Sequence, residues 1–364
     1  MAKQLNVLMM AAGTGGHVFP ALAVADELAS RGATIHWLGT PTGMENDLVA
    51  KHGYQMHHIE MQGMRRNGIM RLVKLPFMLA KAVMAAREII QKNRIDVVVG
   101  FGGYVTVPGG FAARLCKLPL IIHEQNAIVG MSNKNLARFA DSVLQAFDGA
   151  FGAEFGNKVV TVGNPVRSQI EQTPSPQDRY QTDENSPLKV LVVGGSLGAM
   201  AINQAIVEML GKINRPIYLR HQCGKDNHES MLVAYSQAGV DNTKHLVELK
   251  PFIDDMAAAY AWADVIVCRA GALTVTEIQS VGVAAIFIPL PHAVDDHQTA
   301  NAKVLVNADA AILMPQSTLS GELLASTLDG LSKEKCKQMA IIARSQAKTQ
   351  VASHVADIVE SSLK

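Results

Sequence analysis

The stretch V-I-V-C-R-A-G-A-L-T-V-T-E, Val265 to Glu277, reads as a strand, a turn and the start of a helix. Val265 to Cys268 is a short apolar, β-branched run that suits a buried strand. Gly271 permits a tight turn, and from Ala272 the composition suits a helix with Thr274 and Thr276 as polar early residues. A strand feeding a glycine turn and a helix N-terminus aims free N–H groups and the positive end of the helix dipole at one point, so it makes an anion site. Arg269 adds a fixed charge beside that point. Glu277, about two turns into the helix, has the chemistry to take the paired hydroxyls of a ribose. A single stretch of this kind is equally compatible with an ordinary strand–helix corner.

The chain builds the device more than once. Val7 to Met10 reads as a strand, Gly13 to Gly16 as a loop of phosphate size, Phe19 to Leu28 as an amphipathic helix and Ile35 to Leu38 as the next strand. Ile95 to Val99 leads into the glycines before Tyr104. Leu120 to Ile122 ends in the polar tetrad His123-Glu124-Gln125-Asn126, and Val159 to Val162 ends at Gly163 to Arg167. The opening pattern then repeats with Val190 to Val193, the glycine-rich run Gly194 to Gly198, and a helix through Ile202, Ile206 and Met209. Strands follow at Ile217 to Leu219, near His245 to Leu249, at Val265 to Cys268 and at Ala285 to Ile288, the last before the polar loop His292 to Gln298. The fold class is α/β with two Rossmann-like halves, which places ligands at the carboxyl ends of the strands. A dinucleotide site fits poorly. The third glycine of the fingerprint is missing after Gly13 and Gly15, and Trp37-Leu38-Gly39 ends the second strand without an acid. A nicotinamide oxidoreductase is therefore the weaker class.

At 364 residues the chain has room for two cores, and 48% hydrophobic with 18% charged residues describes a globular protein. A net charge of +1 argues against a dedicated nucleic-acid binder. Cys116, Cys223, Cys268 and Cys336 form no C-x-x-C pair, which suits a reduced, cytoplasmic protein without structural zinc. The apolar run Val7 to Ala12 is too short for an export signal and is broken at once by glycines; no run approaches the roughly 20 apolar residues of a membrane span. Thr173 to Pro187, with three prolines and little that is apolar, is the most linker-like segment.

Eight motifs, in order, are similar to those of one family: G-T-G-G-H-V-F-P (13–20), G-G-Y (102–104), H-E-Q-N (123–126), G-N-P-V-R (163–167), G-G-S-L-G-A (194–199), F-I-D-D-M-A (252–257), C-R-A-G-A-L-T-V-T-E (268–277) and H-Q-T-A-N (297–301). The set resembles the GT-B glycosyltransferases, and more narrowly the bacterial peptidoglycan N-acetylglucosaminyltransferases. Ala12 stands where that family usually has glycine. The resemblance implies two Rossmann-like domains facing across a cleft. An acceptor- and membrane-facing domain would span 1–165, with a last helix at about 345–364 packing back on it. A UDP-sugar-binding domain would span 166–344. It implies transfer of N-acetylglucosamine from UDP-N-acetylglucosamine to the C4 hydroxyl of the muramoyl sugar of lipid I, with inversion, giving lipid II in cell-wall synthesis.

Residue by residue, the resemblance implies His17 as general base, with Glu124 as runner-up. It implies donor contacts from Thr14, Gly15, Gly16, Asn126, Arg167, Ser196, Ile253, Ala272, Leu273, Thr274, Val275, Thr276, Glu277 and Gln298. Gly103, Tyr104 and Asn133 would meet the acceptor. No D-x-D occurs, so no metal or other cofactor is expected; Asp295-Asp296-His297 is read as a sugar-facing loop in preference to a metal cluster. The partners implied are the donor, lipid I, an anionic membrane at the cytoplasmic face of the plasma membrane, and a cell-wall synthesis complex. Between Arg65 and Arg94 eight basic residues accompany a single acid, Glu88. A helix from Pro76 would dock Leu79, Val83, Ala86 and Ile90 and turn Phe77, Lys81 and Met84 outward. The competing functions are another UDP-sugar enzyme, such as an epimerase or a natural-product glycosyltransferase, and a non-catalytic nucleotide-sugar-binding regulator.

Overall fold

A computed structural model of the chain describes residues 4–61, 69–180, 183, 185–195, 198–239, 244–291 and 296–363. They fall into two compact units, Met1–Val166 with Gln350–Lys364, and Arg167–Thr349.

The first unit is built on strands β1 (Asn6–Ala11), β2 (Thr34–Gly39), β3 (Gln55–His58), β4 (Val97–Gly102), β5 (Leu120–Glu124), β6 (Ser142–Gln145) and β7 (Val159–Thr161). All pair in parallel, in the order β3-β2-β1-β4-β5-β6-β7. Parallel strands covered on both faces must be apolar on both, and accordingly Val7 to Ala11 and Val97 to Val99 are buried without alternation. One face packs on the helix Gly15–Ser30, the other on the helices Ile69–Lys92 and Thr106–Leu115.

The second unit uses β8 (Leu188–Val193), β9 (Ile217–Gln222), β10 (Leu246–Lys250), β11 (Val265–Cys268), β12 (Ala284–Phe287) and β13 (Ala311–Leu313). These strands are also parallel, in the order β10-β9-β8-β11-β12-β13, around a core that includes Val190, Ile206, Val267 and Ile286. Both sheets follow the Rossmann order, in which successive connections leave the first strand in opposite directions. The switch lies between β1 and β4 in one sheet and between β8 and β11 in the other. Each switch therefore opens beside glycines, the Gly13 to Gly16 turn in one and Gly194, Gly195 and Gly198 in the other.

Three segments depart from expectation. Thr173 to Pro187 does not behave as a linker where it is described. Ser175 caps the short helix Pro176–Arg179 by accepting from the Asp178 N–H, and Arg344 donates to the carbonyls of Thr173 and Pro174 at 2.9 and 3.1 Å. Tyr180 is buried, and its hydroxyl donates to Asp264 O at 2.7 Å. Polar anchoring, invisible in hydropathy, fastens this stretch to the second unit.

The last helix is shorter than expected, Val351–Ser361, because a turn with Gln350 at φ +54° separates it from the helix Lys333–Ser345. It buries Val351, Val355, Ala356 and Val359 in the first unit's core. Arg31 holds its outer side, at 2.6 Å from Asp357 and 3.1 Å from Glu360.

The helix Ile69–Lys92 starts before Pro76 and docks through Ala82, Ala86 and Ile90, with Leu79 and Val83 only half-buried. Phe77 is 80% and Met84 54% exposed. Lys81 is paired with Glu60 at 3.2 Å in full solvent. Arg65 lies outside the described residues. Among those described, no helix is long and apolar enough to cross a membrane.

Candidate active site

In the first unit, β1 ends at the Gly13–Gly16 turn, and His17 sits in the first turn of the following helix. Thr14 is the exposed N-cap residue, Gly15 and Gly16 open the helix, and first-turn N–H groups have no acceptor within a helix. Beneath this turn lies Glu45, fully buried. One carboxylate oxygen accepts from the Thr40 N–H and hydroxyl at 2.9 Å, the other from the Gly13 N–H at 3.3 Å. A carboxylate under the turn weakens its claim on a phosphate at Gly13 itself, since like charges repel.

Gly102 and Gly103, with φ of +111° and +89°, bring β4 against this loop. A Cβ on Gly102 would lie 2.9 Å from the His17 ring, and one on Gly103 2.4 Å from the Ala12 carbonyl. Tyr104 follows, half exposed. The His17 Nδ1 is 2.8 Å from the Gln125 Oε1. Gln125, buried, turns its amide nitrogen to the carbonyl and the Nδ1 of His123 at 3.0 and 3.1 Å. His123, stacked on Phe101, places Nε2 2.8 Å from the Gly163 carbonyl, and burial pushes its imidazole down to about 4.

Two expectations fail here. Glu124 is buried, and its carboxylate already accepts from the Asn126 N–H and side chain at 2.9 and 3.1 Å, from the Gly130 N–H at 2.9 Å and from Asn133 at 3.0 Å. Four donors fill its lone pairs, so it has none to offer as a base. Asn133 cannot meet an acceptor: it is buried, with its amide on Glu124 and on the His123 carbonyl. Asn126 is half-buried beside Glu124.

In the second unit, β11 feeds the helix Ala272–Val281 through Gly271. Leu273 and Thr274 remain partly exposed at its start, with Ala272 buried beside them. Val275 and Thr276 point inward, against expectation as lining residues. Val275 is fully buried with its N–H on Gly271 O, and the Thr276 hydroxyl donates to Ala272 O at 3.0 Å. Arg269 is not a free charge either, since it donates to the carbonyls of Ile288 and Pro289 and to Gln316.

Glu277 is buried; Arg167 donates to one oxygen at 3.0 Å and Tyr260 to the other at 3.0 Å. Burial raises its carboxyl above the usual range, and Arg167 and then Tyr260 oppose that rise. The Ile253 N–H is taken by Gln222 Oε1 at 2.9 Å, so its carbonyl is the group left to meet a ligand edge. Gln298 accepts the Leu290 N–H at 2.9 Å, which leaves its amide donors. Ser196 and Asp295 lie outside the described residues. Asp296 accepts from the Thr299 hydroxyl at 2.7 Å, and among the described residues no three His, Cys, Asp or Glu side chains gather as metal ligands do.

Gln125, His123, Tyr260 and Glu45 are thus structural members of these sites with no individual role expected from sequence. Only the first two carried a signal, as members of the polar tetrad.

Two parallel Rossmann-type sheets, each with glycines at its switch point, are the layout of the GT-B fold. The chain belongs to glycosyltransferase family 28: that family's N-terminal domain matches residues 7–145 and its C-terminal domain residues 189–359. The chain is 58% identical over 362 residues to the Psychrobacter arcticus UDP-N-acetylglucosamine--N-acetylmuramyl-(pentapeptide) pyrophosphoryl-undecaprenol N-acetylglucosamine transferase, covering 99% of this chain and 100% of that protein. It is 47% identical to the protein of the same name from Acinetobacter baumannii, covering 99% and 98%. The crystal structure of Acinetobacter baumannii MurG superposes with a TM-score of 0.86 at 44% identity, covering 98% of this chain and 99% of that one. The calicheamicin glycosyltransferase CalG4, with a TM-score of 0.68 at 17% identity, covers 99% and 98% and shares the fold.

Proposed function

We propose that this chain transfers N-acetylglucosamine from UDP-N-acetylglucosamine to the C4 hydroxyl of the muramoyl sugar of lipid I, forming lipid II with inversion at the anomeric carbon. The observation that carries this reading is end-to-end identity of 58% with a protein named for that transfer. A single displacement requires a base for the acceptor hydroxyl and stabilisation of the leaving diphosphate. His17 is the base: it is half-buried, one ring nitrogen is bonded to Gln125, and the other can accept a proton from a hydroxyl.

The second unit holds the donor. First-turn N–H groups of the helix Ala272–Val281 and the half-exposed Arg167 serve the diphosphate, the Ile253 carbonyl serves the N3–H of uracil, and Glu277 takes the ribose. Within the second unit Gln298 is assigned to the transferred sugar; within the first, Thr14, Gly15, Gly16 and Asn126 are assigned to the donor and Gly103 and Tyr104 to the acceptor. The reaction needs no metal, because helix N–H groups and a guanidinium supply the positive charge. The enzyme works peripherally at the cytoplasmic face, docking through Phe77 and Met84, exposed apolar residues on a basic helix.

Radiolabelled UDP-N-acetylglucosamine incubated with lipid I tests the reading. Label in the lipid supports it. Release of an epimer, or binding without turnover, would overturn it.

A further inference from the structure

The tetrad after β5 holds a directional chain of hydrogen bonds that ends on His17. The Gly163 carbonyl can only accept, so the His123 Nε2 at 2.8 Å carries a proton. Burial keeps this imidazole neutral, which leaves a lone pair on Nδ1. Facing that lone pair at 3.1 Å and the His123 carbonyl at 3.0 Å is one end of the Gln125 side chain. Two acceptors select its NH2 group, so the amide cannot be reversed without setting oxygen against oxygen. The Gln125 oxygen is thereby turned to His17 Nδ1 at 2.8 Å, and it too can only accept. His17 Nδ1 must therefore bear the hydrogen, and its Nε2 the lone pair. The ring's position is set as well, because it lies against the bare Cα of Gly102, where a Cβ would come within 2.9 Å.

We propose that Gln125, oriented by His123 and Gly163, is a positioning residue that holds His17 in the Nδ1–H tautomer and presents its Nε2 lone pair to the acceptor hydroxyl. This deepens, and rests on, the reading of His17 as the base. Free histidine side chains favour the opposite tautomer, so without Gln125 the nitrogen turned away from it would carry a hydrogen for most of the time and could not accept one. The chain plays the part that a buried carboxylate plays behind other catalytic histidines, with no charge of its own.

The test compares Gln125→Leu with Gln125→Glu in the full chain. Long-range proton–nitrogen spectra of histidine-labelled protein, assigned with His17→Asn and His123→Asn, report the tautomer directly. In Gln125→Leu, His17 should move toward Nε2–H. Its kcat should fall at least about tenfold, within the roughly 10²- to 10⁴-fold that general base catalysis contributes, while the donor KM stays within about twofold. Gln125→Glu, neutral when buried, keeps an acceptor toward His17 and should retain the Nδ1–H form and recover much of the rate. Persistence of the Nδ1–H form in Gln125→Leu would overturn the proposal, as would a tautomer shift with kcat unchanged. Full activity of His17→Ala would instead remove the base reading, whatever the spectra of the Gln125 variants show. A misfolded Gln125→Leu would announce itself in a lost thermal unfolding transition of the first unit, and Gln125→Met then serves in its place.

Discussion

Tyr260 and Glu277 are joined by a buried hydrogen bond, the phenol donating to Oε2 at 3.0 Å from a different helix, while Arg167 holds Oε1. The carboxylate assigned to the ribose is thus oriented from behind before any ligand arrives. A hydrogen bond to a charged group contributes about 1.5–3 kcal/mol. Glu277→Ala is expected to raise the donor KM by an amount in that range, and Tyr260→Phe by a smaller amount in the same direction. Steady-state kinetics with the donor varied decides it: unchanged KM and kcat in Glu277→Ala would remove the ribose assignment.

His17→Ala should lose most turnover, roughly 10²- to 10⁴-fold in kcat, with UDP binding near normal, because His17 belongs to the first unit and the residues proposed for the uridine and diphosphate to the second. Isothermal titration with UDP beside a turnover assay separates the two effects. Retained turnover would send the search for a base elsewhere, though not to Glu124, whose lone pairs are filled.

Acid should destabilise each unit through imidazoles lowered by burial, His123 with His36 and His57 in the first and His221 in the second. Burial lowers His123 and His221 to about 4, from an ordinary value near 6.5, and His221 is held by Tyr235 at 2.7 Å and Asn203 at 3.0 Å. Between about 6.5 and about 4 the unfolded chain binds protons that the folded chain refuses. Stability is therefore whole above that window and falls as pH drops through it, by about 1.4 kcal/mol per pH unit for each imidazole. Urea unfolding across the window should show a shallower pH slope in His221→Gln than in the parent. Equal slopes would mean that His221 is not held neutral.

Phe77→Ser combined with Lys81→Glu should reduce sedimentation with anionic vesicles and slow transfer to a lipid-embedded acceptor, while sparing a short-chain soluble one. Lys81 contributes only through its charge, about 1 kcal/mol near an anionic surface, because its pairing with Glu60 is solvent-exposed and screened. Vesicle binding equal to the parent's would show that the patch lies elsewhere on the first unit or is not a membrane patch at all.

The two sheets are legible in the sequence because parallel strands covered on both faces have to be unbroken apolar runs, as Val190 to Val193 and Val265 to Cys268 are. What sequence cannot display is the direction in which a polar side chain faces. His123 and Glu124 look like solvent-facing ends of a strand, yet both are buried. Their partners, Gly163 for one and Asn133 for the other, come close only in the fold. Thr173 to Pro187 misleads for the same reason: its apolar content is low, and Tyr180 and the carbonyls of Thr173 and Pro174 fasten it by hydrogen bonds to Asp264 and Arg344. At Val275 and Thr276 the motif is right about the helix, but a helix start shows a ligand only one side of itself.

The return of Val351–Ser361 to the first unit has a consequence for biosynthesis. A ribosome delivers β1 to β7 early, but the core they build keeps an open flank until Val351, Val355 and Val359 emerge, after every residue of the second unit. The unit that starts first is the last to close. During translation the apolar face of the helix Gly15–Ser30 that the last helix covers is exposed to chaperones and to sticking, whereas the second unit, continuous from Arg167 to Thr349, can finish folding while still tethered. A stalled or clipped chain lacking the last helix would leave a complete second unit attached to an incomplete first one.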